Sequence, residues 1–86
     1  MSSLVSYLDP MIDPGVPVPP YLQLAGILRA RIASGEITGR LPSEKMLAQE
    51  FGLAQGTVRR ALGLLREDGL ITTVQGYGSF VRQGPA

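Results

Sequence analysis

The first helical pattern in the chain starts at Tyr21. Apolar side chains recur there at steps of three and four residues, a spacing that gathers them on one face of a helix. They are Leu24, Ile27, Leu28 and Ile32, with Ala25 and Ala30 between them. Gly35 stands where a left-handed residue commonly ends a helix. We therefore expect a first helix with one buried face, and we expect Arg29 and Arg31 near its end to belong to a solvated face.

Two shorter helical patterns follow a connector at residues 36–41. Ser43 is a preferred N-cap residue, and the helix that it opens is expected to end at Gly52. The predicted buried stripe of this second helix is Met46, Leu47 and Phe51. A third helix begins near Ala54 or Gln55 and ends at Gly69. Its predicted buried residues are Val58, Ala61, Leu62 and Leu65. Two short helices joined by a tight turn indicate a helix-turn-helix.

The pattern changes after the third helix. The runs LITTV and SFVR are rich in β-branched and aromatic residues, and QGYG separates them. Such runs around a glycine-containing turn predict a β-hairpin. The predicted fold class is therefore mainly α with a small β-hairpin: a winged helix-turn-helix with three helices and a two-stranded wing. This domain is expected to cover residues 21–83, with a C-terminal tail at 84–86.

Residues 1–20 form a proline-rich arm ahead of that domain. Five of the seven prolines in the chain fall here, and each fixes φ and removes a backbone donor. The arm also contains apolar residues: Leu4, Val5, Tyr7, Leu8, Met11 and Ile12. It folds back onto the domain or packs on a second subunit, and the sequence leaves both alternatives open.

The composition argues against an enzyme. The chain lacks histidine, cysteine and asparagine, so the commonest general base, the commonest transition-metal ligand and the thiolate nucleophile are missing. Adjacent carboxylates occur only at Glu67 and Asp68, and neighbours on a helix point about 100° apart. We expect them to be solvated helix-end charges. No catalytic residue, metal site or cofactor is predicted.

No apolar run approaches the roughly 18 residues of a membrane span. The N-terminus lacks the basic start and apolar stretch of a signal peptide. A cytoplasmic, nucleoid-associated protein is therefore expected. The formal net charge of +1 favours no class of partner, so binding to nucleic acid would depend on where the charges lie.

The outer face of the third helix collects residue types that recognise DNA. With the apolar stripe inward, the residues left towards solvent are Gln55, Gly56, Arg59, Arg60 and Gly63, with Thr57 at the border. Arginine binds guanine O6 and N7 in a fork, and glutamine binds adenine N6 and N7. The alternative is an ordinary solvated face, but Gly56 and Gly63 each cost about 1 kcal/mol in a helix interior. Close approach to a backbone or to another helix is a better reason for glycine, and the predicted hairpin follows where a wing would touch the neighbouring groove. We therefore expect this helix to enter a major groove.

The tip of the hairpin carries a second group of candidates. Its two glycines are explained by turn chemistry, because no helix follows them to offer its N-terminus to a phosphate. Gln75 and Tyr77 are nevertheless suited to contact sugar, phosphate or a minor-groove edge, and Gly76 allows close approach.

Three stretches occur in a distinctive order: YLQLAGILRARIASGEI, LPSEKMLAQEFGLAQGTVRRALGLLREDGLI and VQGYGSFV. Their most specific parts are LPSE at 41–44, TVR at 57–59, DGLI at 68–71 and GYG at 76–78. Together they resemble the DNA-binding domain of GntR-type bacterial transcription regulators, from about Tyr21 to Val81. The resemblance implies a winged helix that binds a palindromic operator, usually as a dimer.

The resemblance also assigns residues. It implies that Lys45, the basic residue after Leu-Pro-Ser-Glu, contacts phosphate, and Ser43 beside it joins the candidate DNA-binding set. The residues that it maps to the reading or gripping of DNA are Gln55, Gly56, Thr57 and Arg59. Those that it maps to the minor groove are Gln75, Gly76 and Tyr77. Arg60 stands where many members carry glutamate, so its candidacy depends on the helix-face argument alone.

Three features depart from the family pattern. Ala54 replaces the serine that usually caps the third helix, a loss of about 1 kcal/mol. Gln55 and Gly56 replace a polar residue, often arginine, and a hydroxyl residue, so an operator sequence cannot be borrowed. Members usually continue into a C-terminal ligand-binding and dimerising domain, whereas this chain stops at Ala86. It is either part of a longer protein or a minimal regulator, and no effector pocket is evident in it.

The leading hypothesis is a sequence-specific regulator that binds double-stranded DNA and represses by occluding a promoter. The alternative is a protein-interaction winged helix that docks a partner through the apolar arm and the third helix. In that case Arg59 and Arg60 would pair with carboxylates of the partner. A homodimer is one option, formed through the arm or the first helix, and the sequence leaves open whether it forms in free solution or only on DNA. The operator, the regulated genes and any effector do not follow from the sequence.

Overall fold

The computed structural model describes residues 11–82 of the chain. Three helices precede a two-stranded antiparallel hairpin, which confirms the predicted winged helix-turn-helix. The elements are α1 (Pro20–Ala33), α2 (Glu44–Phe51), α3 (Gln55–Glu67), β1 (Ile71–Val74) and β2 (Gly78–Val81). The first ten residues of the predicted arm, the predicted domain boundary at 83 and the predicted tail lie outside the described residues.

The third helix is the centre of the fold. α1, α2 and β1 all pack against α3. The predicted inward residues of α3 are all buried: Val58, Ala61, Leu62 and Leu65. Leu24 and Leu28 from α1 and Leu47 from α2 are fully buried in the same core. Because burial of each such side chain contributes about 1.5–3 kcal/mol, packing fixes the orientation of α3 and leaves its opposite face outward.

The ends of the two short helices follow the predicted chemistry. Ser43 caps α2, since its Oγ accepts a hydrogen bond of 3.1 Å from the Met46 N–H. Gly52 ends α2 in the left-handed conformation, with φ of 67°, which costs glycine little. Ala54 precedes α3 with almost the same backbone angles as Ser43 but offers no side-chain acceptor. The predicted loss of this cap is therefore confirmed.

The wing contains a pairing that the sequence pattern did not indicate. In the hairpin, Ile71 pairs with Val81 and Val74 pairs with Gly78, leaving residues 75–77 as the turn. Arg40, in the predicted connector, forms an antiparallel bridge with Phe80. The flanking hydrogen bonds run from Leu41 N–H to Ser79 O at 2.8 Å and from Val81 N–H to Gly39 O at 2.9 Å. The connector thus attaches the wing to the start of the helix-turn-helix.

The described part of the arm folds back onto α1. The Gln23 side chain accepts a hydrogen bond from Asp13 N–H at 2.7 Å and donates to the carbonyls of Asp13 and Val18 at 2.9 and 2.8 Å. Ile12 packs against the core as a partly buried residue. Of the two alternatives for the arm, residues 12–18 therefore adopt the first: they fold back onto the domain.

None of the helices within residues 11–82 is long and apolar enough to cross a membrane.

The prediction that Met46 is buried is wrong. Met46 is 60% exposed, whereas Leu47 and Phe51 are buried. Leu47 and Phe51 are four residues apart and share one face of an eight-residue helix. Met46 lies about 100° away from Leu47 around the helix, so it points outward.

The prediction of a solvated face for both arginines near the end of α1 is wrong for Arg31. Only 14% of its side chain is exposed. Its guanidinium pairs with Glu50 at 3.0 Å and with Glu36 at 3.6 Å, and it lies 5.3 Å from the centre of the Phe51 ring. Arg29 stays exposed and pairs with Asp68 at 2.8 Å. Arg31 therefore joins α1 to α2, a contact between distant residues that helical spacing cannot reveal.

Candidate nucleic-acid interface

The outward face of α3 carries the predicted residues. Gln55, Gly56, Arg59 and Arg60 are exposed, and Thr57 is partly buried, as its border position predicted. Gly63, which was also expected to face solvent, is partly buried, and a Cβ atom there would lie 3.6 Å from Arg66 Nη2. A side chain at Gly56 would meet no other atom of the chain within 4 Å. Close packing inside the molecule therefore does not explain this glycine, and the surface above it is open to an external partner.

Arg59 is held at the junction of α2 and α3. Its Nε and Nη2 donate to the two carboxylate oxygens of Glu44 at 3.3 and 3.1 Å. The arginine side chain is still 61% exposed. Because a guanidinium has five N–H donors, this pair orients the group and leaves donors for a further acceptor.

Arg60 points elsewhere. Its guanidinium carbon lies 3.8 Å from the centre of the Tyr21 ring at the start of α1, which is a cation–π geometry. Arg60 is therefore exposed as predicted, but it is directed along the side of α3 that faces α1. Among the candidates on α3, it is the one with a partner on α1.

The wing tip presents its three candidates outward. Gln75, Gly76 and Tyr77 are all exposed, and Tyr77 is 69% exposed. The Tyr77 N–H donates to Val74 O at 2.9 Å, which closes the turn. A large aromatic side chain at the end of a closed turn is available for contact with a partner.

A hydrogen-bond chain ties the wing to α3. Arg66 donates to Thr73 Oγ1 at 3.0 Å, and Thr73 Oγ1 lies 2.9 Å from Ser79 Oγ on the opposite strand. Sequence reasoning missed these three residues, because the contact joins a helix to a hairpin that pattern analysis treats separately. The contact joins α3 to both strands of the wing.

The helix-turn-helix and the wing enclose an open cleft. Its helical side is lined by Ser43, Glu44, Lys45 and Gln55, and its wing side by Thr73, Val74, Gln75 and Gly76. The structure thus brings together Ser43, Lys45, Gln55, Gln75 and Gly76, which the sequence had proposed as separate groups. The other five candidates lie outside this cleft lining: Gly56, Thr57, Arg59, Arg60 and Tyr77. The Ser43 hydroxyl is engaged in capping α2, so its presence at the cleft has a structural reason as well.

Arg40 is the cationic lining residue of this cleft that sequence reasoning missed. It is exposed and lies beside Gly78 at the start of β2. Its position depends on the bridge between residue 40 and residue 80. No local signal in a connector predicts such a pairing.

Within residues 11–82, no group of three or more acidic side chains is arranged to hold a metal ion.

Two protein relatives show sequence similarity over most of this chain. The HTH-type transcriptional regulator SmoD of Agrobacterium fabrum is 37% identical over 70 residues, covering 79% of this chain and 30% of the relative. The HTH-type transcriptional repressor NagR of Bacillus subtilis is 40% identical over 67 residues, covering 76% of this chain and 28% of the relative. The chain thus spans less than a third of the length of these relatives.

A solved structure shows the same architecture. The DNA-binding domain of AraR, in complex with operator ORE1, superposes with a TM-score of 0.73 at 37% identity. The match covers 76% of this chain and 82% of that one. The family model described as bacterial regulatory proteins, gntR family, matches residues 20–81. The chain belongs to the gntR family of bacterial regulatory proteins, and its fold is the winged helix-turn-helix DNA-binding domain of that family.

Proposed function

We propose that this chain binds a palindromic operator in double-stranded DNA and acts as a transcriptional repressor in the bacterial cytoplasm, at the nucleoid. In this proposal α3 enters the major groove, and the wing contacts the adjacent minor groove. The residues that contact DNA are Ser43, Lys45, Gln55, Gly56, Thr57, Arg59, Arg60, Gln75, Gly76 and Tyr77.

The outward face of α3 is the observation that carries the proposal. Gln55 precedes Gly56, and Arg59 follows it by three residues. All three are exposed, and a Cβ atom at Gly56 would meet no other atom within 4 Å. Glutamine and arginine are the side chains that bind adenine and guanine edges with two hydrogen bonds each. A glycine between them permits close approach of a phosphate or a base. This combination fits a major groove better than a solvated face.

The relatives support the same function. AraR is a structural relative crystallised with an operator, and NagR is named a transcriptional repressor. The family consists of regulators rather than enzymes, in agreement with the expectation that this chain is not an enzyme. Repression by occlusion requires only tight binding at a promoter. It is therefore compatible with a domain of this size.

Two copies on one operator are part of the proposal. A single small module makes few base and phosphate contacts, and specific binding commonly uses two half-sites about one helical turn apart. A homodimer assembled on DNA would supply both copies. Its half-site spacing would be a direct geometric readout of the pairing.

Selection from a random duplex pool tests the proposal. The full 86-residue chain is incubated with the pool at near-physiological salt, and bound duplexes are amplified and sequenced. An enriched palindrome is the expected result. A folded protein that enriches no sequence would contradict specific binding and would favour the protein-docking alternative. Salt dependence separates these two, because neutralising each phosphate adds about 0.9 to the log–log slope, whereas an apolar protein contact hardly responds.

Arg59→Ala tests the assignment of α3 as the recognition helix. We expect specific binding to weaken by about 1–3 kcal/mol, since a fork to guanine is lost. Arg29→Ala is the matched control, because Arg29 is also exposed and also pairs with a single carboxylate, Asp68. Titration of the selected operator with each variant provides the measurement. Equal affinity of the two folded variants would contradict the assignment.

A further inference from the structure

The basic side chains of this protein divide by their partners. All eight lie within the described residues. Three pair with carboxylates: Arg29, Arg31 and Arg59. Two contact uncharged groups: Arg60 on the Tyr21 ring and Arg66 on Thr73. The remaining three are Arg40, Lys45 and Arg82. Within residues 11–82 they form no ion pair, and they lack contacts of the kind that Arg60 and Arg66 make.

Arg40 and Lys45 line the same cleft between the helices and the wing. Among the described residues that line this cleft, Glu44 is the carboxylate, and both of its oxygens accept hydrogen bonds from Arg59. Its negative charge is therefore compensated from outside the cleft. The cleft retains the charges of two cations that no carboxylate of the described chain neutralises.

The fold places Arg40 beside the turn of the wing. The backbone of Arg40 is fixed by its bridge to Phe80, and the guanidinium lies over Gly78. A Cβ atom at residue 78 would lie 3.1 Å from Arg40 Nε and 3.5 Å from Nη2. Gly78 also has φ of 116°, a conformation that favours glycine. The second glycine of the Gly-Tyr-Gly turn therefore leaves space for the Arg40 guanidinium beside the wing tip.

The cleft lies between the start of α3 and the tip of the wing. On a duplex, the major groove and the adjacent minor groove are separated by one phosphodiester strand. We infer that this cleft binds that strand, and that Arg40 is a second phosphate-binding cation beside Lys45. This inference rests on the proposed function. It adds a contact residue from the connector, outside the helix-turn-helix and the wing strands.

Arg40→Gln tests this inference, because it removes the charge and keeps a polar side chain. Binding is measured by fluorescence anisotropy over a salt series, with the selected operator and with a scrambled duplex of equal length. We expect the log–log salt slope to fall by about 0.9 on both duplexes. Arg40→Lys keeps the charge and should keep the slope. Arg82→Gln is the matched control: it removes another cation without a carboxylate partner, beyond the opposite end of β2 from Gly78, and should leave the slope unchanged.

The slopes are compared at a temperature at which thermal unfolding shows every variant to be folded. A wild-type slope for Arg40→Gln would overturn the inference and leave the proposed function intact. An equal loss of slope in Arg40→Lys would also overturn it, because the role of Arg40 would then be structural. If the wild-type chain bound neither duplex, the proposed function would fail and the inference with it.

Discussion

Two regions of this small domain use arginine in opposite ways. At the junction of α1 and α2, Arg31 is largely buried and contacts two carboxylates and a ring. At the cleft between the helices and the wing, Arg40 is exposed and forms no ion pair within the described residues. Arg31, whose guanidinium contacts Glu36, Glu50 and Phe51, joins two helices. Arg40 has no carboxylate partner among the described residues and is therefore able to bind an external anion. Arginine content by itself therefore predicts neither stability nor DNA binding in this domain.

Replacing Arg31 should produce the largest change in stability. Arg31→Gln removes ion pairs with Glu36 and Glu50 and the contact with Phe51. We expect the free energy of unfolding to fall by about 1–3 kcal/mol, since hydrogen bonds between charged groups are the stronger ones. Thermal or urea unfolding measures this change. The DNA affinity of the folded variant should match that of wild type. A loss of affinity without a loss of stability would contradict the structural role of Arg31.

The sequence predicted the interior of the fold better than its ion pairs. Helical spacing identified the buried face of α3, and glycine and serine placed both ends of α2, because these signals act within a few residues. Met46 was misplaced because it is the sequence neighbour of Leu47, and neighbours on a helix point about 100° apart. Even so, local pattern was sufficient for the architecture.

The candidate site was predictable only in part. The exposed residues of α3 follow from its buried face, and those of the wing tip follow from the turn. Arg40 does not follow, because its place depends on an antiparallel bridge to a residue forty positions along the chain. The Glu44 carboxylate on Arg59 is likewise a contact across fifteen positions. Charges that meet through tertiary structure leave no periodic signal.

Lys45→Ala should weaken DNA binding and leave stability unchanged, the opposite of the effect expected at Arg31. Lys45 is exposed and has no carboxylate partner among the described residues, so its loss should leave stability unchanged within about 0.5 kcal/mol. We expect affinity for all duplexes to fall about equally and the salt slope to fall by about 1. Titrations of the operator and of a scrambled duplex over a salt series provide the measurement. A loss confined to the operator would mean that this lysine reads bases rather than phosphate.

Ala54 is a position where one substitution can affect both stability and DNA binding, because it directly precedes α3, the helix that we propose to enter the major groove. Its backbone has φ of −68° and ψ of 149°, close to the −67° and 163° of Ser43, whose hydroxyl caps α2. A serine at residue 54 can therefore accept a hydrogen bond from the first turn of α3 without a change of backbone. We expect Ala54→Ser to raise the free energy of unfolding by about 0.5–1 kcal/mol, and Ser43→Ala to lower it by a similar amount.

Urea unfolding of these two variants, singly and combined, measures both caps. The caps lie on different helices, so their effects should add, and the double variant should return close to wild-type stability. Destabilisation by Ala54→Ser would contradict this prediction, because it would show that the serine hydroxyl does not cap α3. If the cap instead leaves stability unchanged but strengthens DNA binding, the added hydroxyl contacts phosphate. Residue 54 would then belong to the interface rather than to the fold.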